Sequence, residues 1–354
     1  MKKIEIYIRK LILKLLLLII PKKSVVNKID LKENSTILFI RLNRIGDALI
    51  TTPLLSLIKK NTNHKIYVVA SNYNYLVFSS KIVDNVIVYD KKRITLFKLI
   101  RLINKLKPDA IIDLHDDVST TVSFILTFSK AKYKIGFNKD NRKLYNYIIE
   151  KPNPSKTHVI ERILQFTKIF NIKYTKEEIR VFYYINEKAL EKISNYIINN
   201  KLDNYFKIGI NISAGNDARF WGIKNYKDLI TEISKYSQIK VIILCSPNDI
   251  EKAKQISNEL VPIFYDNSFE NFSAMISKLD LLITPDTSAV HIASAFNIPV
   301  FGLYVKYNTN DMIWSPYNTE FECVITEQPT LKNIQLNEVL SKLKPFLEKL
   351  LWKN

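Results

Sequence analysis

The order of apolar runs along the chain restricts the possible fold more than any other feature. From Ser35 onward, short runs rich in β-branched residues alternate with longer amphipathic stretches. This pattern is typical of a parallel sheet, because parallel strands are joined by long crossover connections that are usually helices. The predicted strands of the first half are Thr36–Ile40, Ile66–Ala70, Val86–Tyr89 and Ala110–Leu114. Helices are predicted over Ala48–Lys60 and Thr95–Leu106, so this half is expected to form a Rossmann-like unit.

The same alternation restarts after an interruption. A Pro-Asn-Pro run within Lys151–Ser155 breaks the pattern, His158–Phe170 predicts a helix, and a polar stretch extends to about Lys201. The predicted strands of the second half are Lys207–Ile212, Lys240–Cys245, Leu281–Thr284 and Val300–Tyr304. Its predicted helices are near Tyr226–Lys235, Ile250–Leu260, Ala289–Phe296 and Leu336–Leu350. A second Rossmann-like unit is therefore expected.

The length of the chain agrees with two domains. A single hydrophobic core stops growing near 250 to 300 residues, roughly, and this chain has 354. The predicted segments are an amphipathic basic helix over 1–23, an N-terminal domain over 24–175, a connection over 176–201, a C-terminal domain over 202–335, and a helix over 336–354 that packs back on the body. Parallel sheets bind ligands at the carboxyl ends of their strands, so the two sheets are expected to face a central cleft.

Charge and cysteine content narrow the function classes. With 53 Lys and Arg against 34 Asp and Glu, the formal net charge is +19. Such a surplus suits an anionic partner. Charge alone does not distinguish nucleic acid, a phospholipid surface and a phosphorylated glycan. The alternative is that many lysines only solvate helix surfaces. Two cysteines, Cys245 and Cys323, form neither a disulfide framework nor a metal-ligand cluster, which favours a reducing compartment.

The N-terminal segment resembles an interfacial helix. Its uninterrupted apolar stretch, Leu15–Ile20, is far shorter than the roughly 20 residues that span a bilayer, and no small-residue cleavage site follows. On a helix, one face is basic and the opposite face is apolar, as in helices that lie in the headgroup plane. The basic residues are Lys3, Lys10 and Lys14, and the apolar ones are Ile4, Ile8, Leu11, Leu15 and Leu18. Packing onto the body of the protein is the alternative.

Charged residues follow the first predicted strand. The sequence Arg41-Leu-Asn-Arg44-Ile-Gly46-Asp47 leads into a helix, with Gly46 at the turn. Asp47 has two compatible interpretations, a carboxylate that caps the helix N-terminus or a general base at the mouth of the cleft. In the second, Arg41 and Arg44 supply positive charge for an anionic acceptor. The dinucleotide fingerprint G-x-G-x-x-G is absent from the sequence.

A polar loop is predicted after the first strand of the second half. Ser213, Ala214 and Gly215 close the strand, and Gly215 allows the backbone to approach a ligand closely. Arg219 carries a planar guanidinium that suits a diphosphate, or else is merely solvated. Trp221 is expected to lie in the domain core.

The longest motif begins at the strand Leu281–Thr284. Asp286 follows this strand, and Thr287 and Ser288 open a helix whose free N–H groups predict an anion site suited to a diphosphate. His291 lies one turn further, where its ring can donate to phosphate oxygens. By itself, a histidine at this position is as compatible with a partly buried structural role.

Together these segments resemble glycosyltransferase family 9, the family of ADP-heptose:lipopolysaccharide heptosyltransferases. The matching motifs are R-x-x-x-x-G-D followed by T-T-P, a loop with a basic residue and Trp, and D-T-x-x-x-H-x-A-x-A. Tyr133-Lys-Ile-Gly-Phe137 is similar to the family's R-I-G-[FY] stretch, and His158-Val-Ile-Glu-Arg162 to its H-x-[VI]-x-R helix. The likeness extends from Ser35 to about Val305. It implies a GT-B fold, in which two Rossmann-like domains face a central cleft.

The resemblance also implies roles for individual residues. Asp47 matches the proposed base that deprotonates the acceptor hydroxyl, and Arg219 replaces the lysine that neutralises the leaving diphosphate. The residues implied to contact the donor sugar and phosphates are Asp286, Thr287 and His291. The acidic ribose-binding residue corresponds most nearly to Asp249. Ser288 stands where the family usually has glycine. The serine is expected to tighten the phosphate loop.

The acceptor side is expected to include His115. The run Asp113-Leu-His115-Asp116-Asp117 follows a predicted strand and resembles a metal-ligand set, but the family transfers without metal, so neither a metal nor a cofactor is implied. The run is instead expected to face the acceptor.

The resemblance implies an inverting transferase that moves heptose from ADP-heptose to an inner-core lipopolysaccharide or related glycolipid. It would act at the cytoplasmic face of the bacterial inner membrane, as a peripheral protein that binds no nucleic acid. Three alternatives stay open: a family member with another nucleotide sugar, a nucleotide-sugar epimerase, and a non-catalytic protein that binds membranes or polyanions. The last is disfavoured because arginines and glycines gather at strand ends instead of forming a basic stripe.

Overall fold

The computed structural model describes residues 11–15, 17–18, 20 and 24–352 and divides the chain into two compact units. Unit 1 comprises Met1–Asn153 and Val159–Ile179, and unit 2 comprises Pro154–His158 and Arg180–Asn354. Each unit is built around one six-stranded parallel sheet that alternates with helices. The predicted α/β class is therefore confirmed. Part of the predicted N-terminal helix, including Lys3, Ile4, Ile8 and Lys10, lies outside the described residues.

The sheet of unit 1 contains the four predicted strands and two more. Its strands are β1 (Thr36–Arg41), β2 (Lys65–Ser71), β3 (Asn85–Tyr89), β4 (Ala110–Asp113), β5 (Tyr133–Phe137) and β6 (Tyr147–Ile149). Its helices are α1 (Ile45–Leu49), α2 (Thr52–Asn61), α3 (Leu96–Leu106), α4 (Thr120–Phe128) and α5 (Val159–Ile163), followed by a 3-10 helix over Leu164–Phe170. The central strands are apolar runs because they are covered on both sheet faces, as the burial of every β4 residue illustrates, whereas the edge strand β3 is partly exposed.

The predicted helix Ala48–Lys60 is two helices. The break follows from Pro53, which has no N–H to donate to the carbonyl one turn earlier. The Thr52 hydroxyl donates to the Leu49 carbonyl at 2.7 Å, and the Thr51 hydroxyl donates to the Ala48 carbonyl at 2.6 Å. These side chains satisfy carbonyls at the end of α1. The short helix α1 therefore stops directly after Asp47 and two buried residues.

The sheet of unit 2 also has six strands. They are β7 (Phe206–Asn211), β8 (Ile239–Cys245), β9 (Ile263–Tyr265), β10 (Leu281–Pro285), β11 (Val300–Val305) and β12 (Phe321–Thr326). The helices of this unit are α6 (Glu187–Asn199), α7 (Ile223–Ile233), α8 (Ile250–Ile256), α9 (Phe269–Ile276), α10 (Ser288–Ala295) and α11 (Leu336–Leu351). Apolar residues of α11 are buried in the core of unit 2.

The segment 176–201, expected as a connection, contains the regular helix α6. This helix belongs to unit 2. Its N-cap residue, Asn186, donates from its backbone N–H and its side chain to the two carboxylate oxygens of Glu270 in α9, at 2.9 and 2.8 Å. Charged residues cover the outer side of α6 while Ala189, Ile193 and Ile197 are buried, so its polar sequence reflects a helix that covers the sheet.

The two sheets have the same strand order. Unit 1 runs β3-β2-β1-β4-β5-β6, and unit 2 runs β9-β8-β7-β10-β11-β12. In each sheet the order reverses between the first strand and the fourth, which are β1 and β4 in unit 1 and β7 and β10 in unit 2. Ligands of open α/β sheets bind beyond the carboxyl ends of the strands at such a switch point. The loops after these four strands are therefore where a site is expected.

The described part of the N-terminal segment is helical over 11–15 and 17–18. Leu17 and Ile20 pack against the core of unit 1, whereas Leu11, Leu15 and Leu18 are exposed. Within the described ranges, no helix combines the length and the apolar character that a membrane crossing requires.

Candidate functional site

Arg41, the last residue of β1, organises the switch point of unit 1. Its side chain is 1% exposed. The guanidinium donates to the carbonyl of Leu114 after β4, to the backbone carbonyl of Asp47 at 2.9 Å, and to the Asp47 carboxylate at 3.2 Å. Burial lowers the pKa of Arg41, and the nearby carboxylates oppose that effect. The Arg41 guanidinium is enclosed and does not reach an acceptor directly. The expected effect of Arg41 on an anionic acceptor is therefore exerted through Asp47, which it holds in place.

Asp47 is the third residue of α1 and does not cap this helix. The helix begins at Ile45, and the N-cap position is taken by Arg44 without a side-chain cap. The Asp47 Oδ1 atom instead accepts from Arg41 and, at 3.3 Å, from Asn43. Among the described residues no hydrogen bond reaches Oδ2, and 17% of the side chain is exposed. The capping interpretation is therefore wrong, and one carboxylate oxygen is held while the other is open.

Arg44 and Gly46 differ from Arg41 in their surroundings. Arg44 is exposed, so its guanidinium reaches solvent. Gly46 is the second residue of α1, inside the helix, and its carbonyl accepts from the Ile50 N–H at 3.1 Å. Of Arg41 and Arg44, the exposed Arg44 is the one that can meet a ligand.

His115 lies after β4 and supports the loop that follows β1. Its Nδ1 atom lies 2.7 Å from Asp113 Oδ1, and its Nε2 atom accepts from the Leu42 N–H at 3.2 Å. Burial lowers the pKa of His115, although Asp113 acts in the opposite direction. The ring is therefore neutral with its proton on Nδ1. Both ring nitrogens are occupied, so His115 orients the loop from Leu42 to Asp47.

Asp113, at the end of β4, is fully buried and accepts from several groups. Its Oδ1 accepts from the His115 ring, and its Oδ2 accepts from Lys139 at 2.9 Å and from the Tyr145 hydroxyl at 2.7 Å. Burial acts to raise the pKa of Asp113, but Lys139 and His115 outweigh it and hold this pKa well below its usual range. The carboxylate is thus a structural anion, with its oxygens already engaged by protein groups.

Lys139 and Tyr145 were not singled out from the sequence. The usable signal was Gly136 in the Tyr133–Phe137 motif, because a Cβ atom at Gly136 would lie 2.5 Å from the Tyr145 ring. Glycine there leaves room for the ring whose hydroxyl reaches Asp113.

A second buried ion pair lies beside this network. Arg162 of α5 is 3% exposed and contacts the Asp116 carboxylate at 3.1 Å, with Lys151 at 3.8 Å from the same carboxylate. Its Nε and NH1 atoms have no hydrogen-bond partner in the described structure. The stretch 133–137 thus leaves space for the Tyr145 ring beside the loop after β4. The stretch 158–162 supplies a buried cation, Arg162, next to the same loop.

In unit 2, Asn211 links the switch-point strands. It ends β7, and its amide donates to the hydroxyls of Thr284 at 2.9 Å and Thr287 at 3.3 Å. Its side-chain oxygen accepts from the Ser213 N–H at 3.2 Å. One amide thereby ties the end of β10, the N-cap of α10 and the loop after β7 together.

Ser213 and Asp249 form a second polar group at the same edge. The Ser213 hydroxyl donates to Asp249 at 2.7 Å and accepts from the Ser246 N–H at 2.7 Å. Burial acts to raise the pKa of Asp249, but hydrogen bonds from Ser213, Lys252 and Ser246 outweigh it and lower this pKa. Ala214 is half-buried and Gly215 is exposed next to this group. The glycine with positive φ is Gly222, at +110°, where α7 begins.

Arg219 and Asp286 pair directly. The guanidinium donates to the Asp286 carbonyl at 3.0 Å and contacts its carboxylate at 3.0 Å. About a third of the Arg219 side chain is exposed, at 33%. Burial raises the pKa of Asp286, and Arg219 opposes the rise. The loop after β7 thus places a half-exposed cation at the carboxyl end of β10.

The start of α10 follows Asp286. Thr287 is the N-cap, and its hydroxyl accepts from the Ala289 N–H at 3.3 Å. Ser288 is the first helical residue and is half-buried. The Val290 N–H donates to the Thr287 carbonyl at 3.2 Å. Among the described residues the Ser288 N–H has no such partner, so it is the first-turn N–H group available to an anion.

His291 is buried in α10, 2% exposed, and its Nδ1 atom has no hydrogen-bond partner among described residues. Burial and the nearby His158 lower the pKa of His291 to about 3, so the ring is neutral near pH 7. Its ring centroid lies 6.2 Å from that of Trp314. A neutral ring still donates from one nitrogen, which is compatible with the expected contact to a phosphate oxygen.

Trp221 lies in the core of unit 2, as expected. It is fully buried, donates from Nε1 to the Ile334 carbonyl at 2.9 Å, and meets the Tyr226 ring edge-on. It therefore fixes the end of the Arg219 loop.

Comparisons with known proteins bear on these two sites. The family model described as "Glycosyltransferase family 9 (heptosyltransferase)" matches residues 96–344. A putative glycosyltransferase of Haemophilus influenzae is 26% identical over 319 residues, 85% of this chain and 91% of that protein. The lipopolysaccharide core heptosyltransferase OpsX of the same species is 24% identical over 200 residues, 53% of this chain and 54% of that protein.

Solved structures share the fold. The glycosyltransferase family 9 protein of Veillonella parvula superposes with a TM-score of 0.80 at 19% identity, covering 91% of this chain and 100% of that chain. ADP-heptose lipopolysaccharide heptosyltransferase II of Escherichia coli gives 0.70 at 18% identity, covering 89% and 99%. The E. coli heptosyltransferase WaaC, solved with ADP, gives 0.69 at 17% identity, also covering 89% and 99%.

Proposed function

Because the chain belongs to glycosyltransferase family 9, the heptosyltransferase family, we propose that it transfers heptose from ADP-heptose to an inner-core lipopolysaccharide or related glycolipid, with inversion at the anomeric carbon. The names of similar proteins support this choice. OpsX is a lipopolysaccharide core heptosyltransferase, and WaaC has been solved with ADP and with ADP-2-deoxy-2-fluoro heptose. Glycosyl transfer follows from the family, and the donor and acceptor are the proposed part.

The observation that carries the proposal is the state of the Asp47 carboxylate. Arg41 and Asn43 hold Oδ1, while no described residue occupies Oδ2 and the side chain is partly exposed. In the proposed reaction Oδ2 accepts the proton of an acceptor hydroxyl, whose oxygen attacks the anomeric carbon. The bond from that carbon to the diphosphate oxygen breaks, and ADP leaves with the bonding electrons. Attack from the face opposite the leaving group gives inversion.

Unit 2 is proposed to bind the donor. The first turn of α10, at Thr287 and Ser288, and the Arg219 guanidinium would stabilise negative charge on the departing diphosphate. Neutral His291 would donate to a phosphate oxygen, and Asp286 would contact the sugar. Ser213, Ala214 and Gly215 would approach the nucleotide, and the ionised Asp249 would accept from ribose hydroxyls. This assignment requires neither a metal ion nor a cofactor.

Unit 1 is proposed to bind the acceptor. Exposed Arg44 is the residue suited to an acceptor phosphate or carboxylate. Arg41, Gly46 and His115 would act by shaping the loop that presents Arg44 and Asp47, since Arg41 and His115 are buried with their polar atoms engaged.

We place the protein on the inner face of the bacterial inner membrane, held peripherally by the N-terminal helix. Leu11, Leu15 and Leu18 support this placement, since they are 48%, 51% and 77% exposed while neighbouring Leu17 packs on unit 1. Exposed leucines beside a lysine suit the headgroup region of a bilayer. Nucleic acid is not proposed as a partner.

The test of the base is Asp47→Asn. Loss of a general base reduces turnover about a hundredfold to ten-thousandfold, and asparagine keeps the size of the side chain. We expect this loss in turnover with purified acceptor and ADP-heptose, and ADP affinity within about twofold of wild type by calorimetry. Asp203→Asn, at an exposed position in unit 2, is the matched control and should turn over normally. Unchanged turnover by Asp47→Asn would falsify the role of this carboxylate.

The donor is tested separately with a panel of ADP-, UDP- and GDP-sugars. ADP-heptose should give the highest kcat/KM, and NMR of the product should show an inverted anomeric configuration. If another nucleotide sugar gave a higher kcat/KM, that sugar would be the donor in place of ADP-heptose. The conclusion about Asp47 as the base would not change.

A further inference from the structure

The helix α3 has an unusual outer face. Residues 91–107 include seven Lys and Arg and no Asp or Glu. Leu99, Ile100 and Ile103 of α3 are buried against the sheet of unit 1. The side chains on the opposite side, which we call the α3 face, are Phe97, Lys98, Arg101, Leu102 and Lys105, and all five are exposed.

The cations of the α3 face have no carboxylate partner among the residues that the structure describes. Within the described parts of the chain, no Asp or Glu lies at ion-pair distance from Lys98, Arg101 or Lys105. The two lysines of α2 differ, since Lys59 pairs with Asp84 at 2.6 Å and Lys60 with Glu178 at 2.8 Å. The positive charges of Lys98, Arg101 and Lys105 are therefore not neutralised by described carboxylates. The positive charges of the two α2 lysines are neutralised by their ion pairs.

Large apolar side chains accompany these cations. Phe97 is 77% exposed and Leu102 is 46% exposed. At 3.6 residues per turn, these two border an arc of about 140° that contains the three cations. Phe128, at the end of α4, is 54% exposed and lies next to α3, because its carbonyl accepts from Asn104 at 3.0 Å. Exposed Lys130 is also tied to Asn104, at 2.8 Å.

The N-terminal helix packs against the same buried cluster. Leu17 and Ile20 contact the group of core residues to which Leu99, Ile100 and Ile103 of α3 belong.

We propose that the α3 face, with Phe128 and Lys130, is a second membrane-binding surface that rests on anionic phospholipid headgroups. Cations near such a surface are attracted to it, and adjacent Phe and Leu side chains enter the boundary between headgroups and acyl chains. Nucleic acid explains the charge less well, because it would leave Phe97 and Leu102 in water. The inference does not depend on the proposed donor, acceptor or base.

The test measures binding of the full chain to sedimenting vesicles. One set contains phosphatidylethanolamine with phosphatidylglycerol, and the other contains phosphatidylcholine alone. The α3 variant carries Lys98→Gln, Arg101→Gln and Lys105→Gln. The matched control carries Lys188→Gln, Lys227→Gln and Lys278→Gln, which remove the same charge from exposed positions of unit 2. Thermal unfolding checks that both variants are folded.

Loss of three cations from the contact surface should lower the partition coefficient on anionic vesicles about a hundredfold, and the control should stay within about threefold of wild type. A second variant, Phe97→Ser with Leu102→Ser, should bind less at high salt, where charge is screened. The proposal is overturned if the α3 variant binds like wild type, or if both triple variants weaken equally. A DNA duplex is the competing ligand. The proposal is also overturned if DNA binds the α3 face more tightly than anionic vesicles do, and if Phe97→Ser with Leu102→Ser changes neither the affinity for DNA nor the affinity for vesicles.

Discussion

Arg41 and Arg44 are three residues apart, yet their environments assign them opposite tasks. Buried Arg41 satisfies the Leu114 carbonyl and holds Asp47, while exposed Arg44 has no structural partner among described residues. Both arginines were predicted from the sequence as acceptor ligands. Sequence reasoning could not separate them, because burial of Arg41 arises from β4, more than seventy positions away, as the 73-residue separation of its bond to Leu114 shows.

Substitution of these two arginines should separate stability from acceptor binding. Arg41→Ala leaves the buried Leu114 carbonyl without this donor and Asp47 with Asn43 alone as a hydrogen-bond donor among the described residues, so the free energy of unfolding should fall by about 3 kcal/mol. Arg44→Ala should change that free energy by less than about 0.5 kcal/mol and raise the KM for the acceptor. Urea unfolding and steady-state kinetics measure the two effects. Equal destabilisation by both substitutions would contradict the assignment.

His291 should make the free energy of unfolding depend on pH. Its pKa is about 3 in the folded chain, against about 6.5 when unfolded, so the unfolded state binds the extra proton between these values. Stability is therefore complete above pH 6.5 and falls as pH drops toward 3. At pH 5 the loss attributable to His291 is about 2 kcal/mol.

The measurement compares wild type with His291→Gln by urea unfolding at pH 7 and pH 5. The wild type should lose about 2 kcal/mol more than the variant between these values. Other histidines contribute to both proteins and cancel in the difference. A variant whose unfolding free energy changes with pH as steeply as that of wild type would show that His291 is not the titrating group.

At the scale of elements, the predictable strands were short runs rich in apolar and β-branched residues, whether fully buried as β4 or partly exposed as β3. The sequence located β1, β4, β7 and β10 to within a residue or two. The missed strands lack that signal. β6 and β9 have three residues each, and β12, at a sheet edge, exposes Phe321 and Ile325. β5 contains Lys134, which interrupts the apolar run but is buried and donates to the Ser129 carbonyl at 2.6 Å.

β5 should depend on the glycine at its fourth position. In Gly136→Ala the new methyl would overlap the buried Tyr145 ring, whose hydroxyl bonds Asp113. We expect the free energy of unfolding to fall by about 2 kcal/mol. In a Tyr145→Ala background the same substitution should cost less than about 1 kcal/mol, because the ring is gone. A double-mutant cycle by urea unfolding measures this coupling, and purely additive effects would place the strain elsewhere.

At the scale of the whole molecule, the same strand order recurs in both units. Both sheets place the loops of the candidate sites at the same topological position, and this could be predicted because it depends on the order of elements alone. What the sequence could not give is the internal pairing of each site, such as Arg219 with Asp286. Such pairs join residues on loops that only the folded sheet brings together.

From the proposed donor site we predict that the nucleotide binds to unit 2. Arg219→Ala removes the proposed charge-assisted contact to the diphosphate and the countercharge of Asp286, so ADP should bind at least about tenfold more weakly. Arg219→Lys keeps the charge without the planar fork and should lose less. Calorimetry with ADP measures both, with Arg44→Ala in unit 1 as the control that retains wild-type affinity. If Arg44→Ala weakened ADP binding as much as Arg219→Ala did, the nucleotide could not be assigned to unit 2, and Asp47 would have to be reconsidered as a donor ligand.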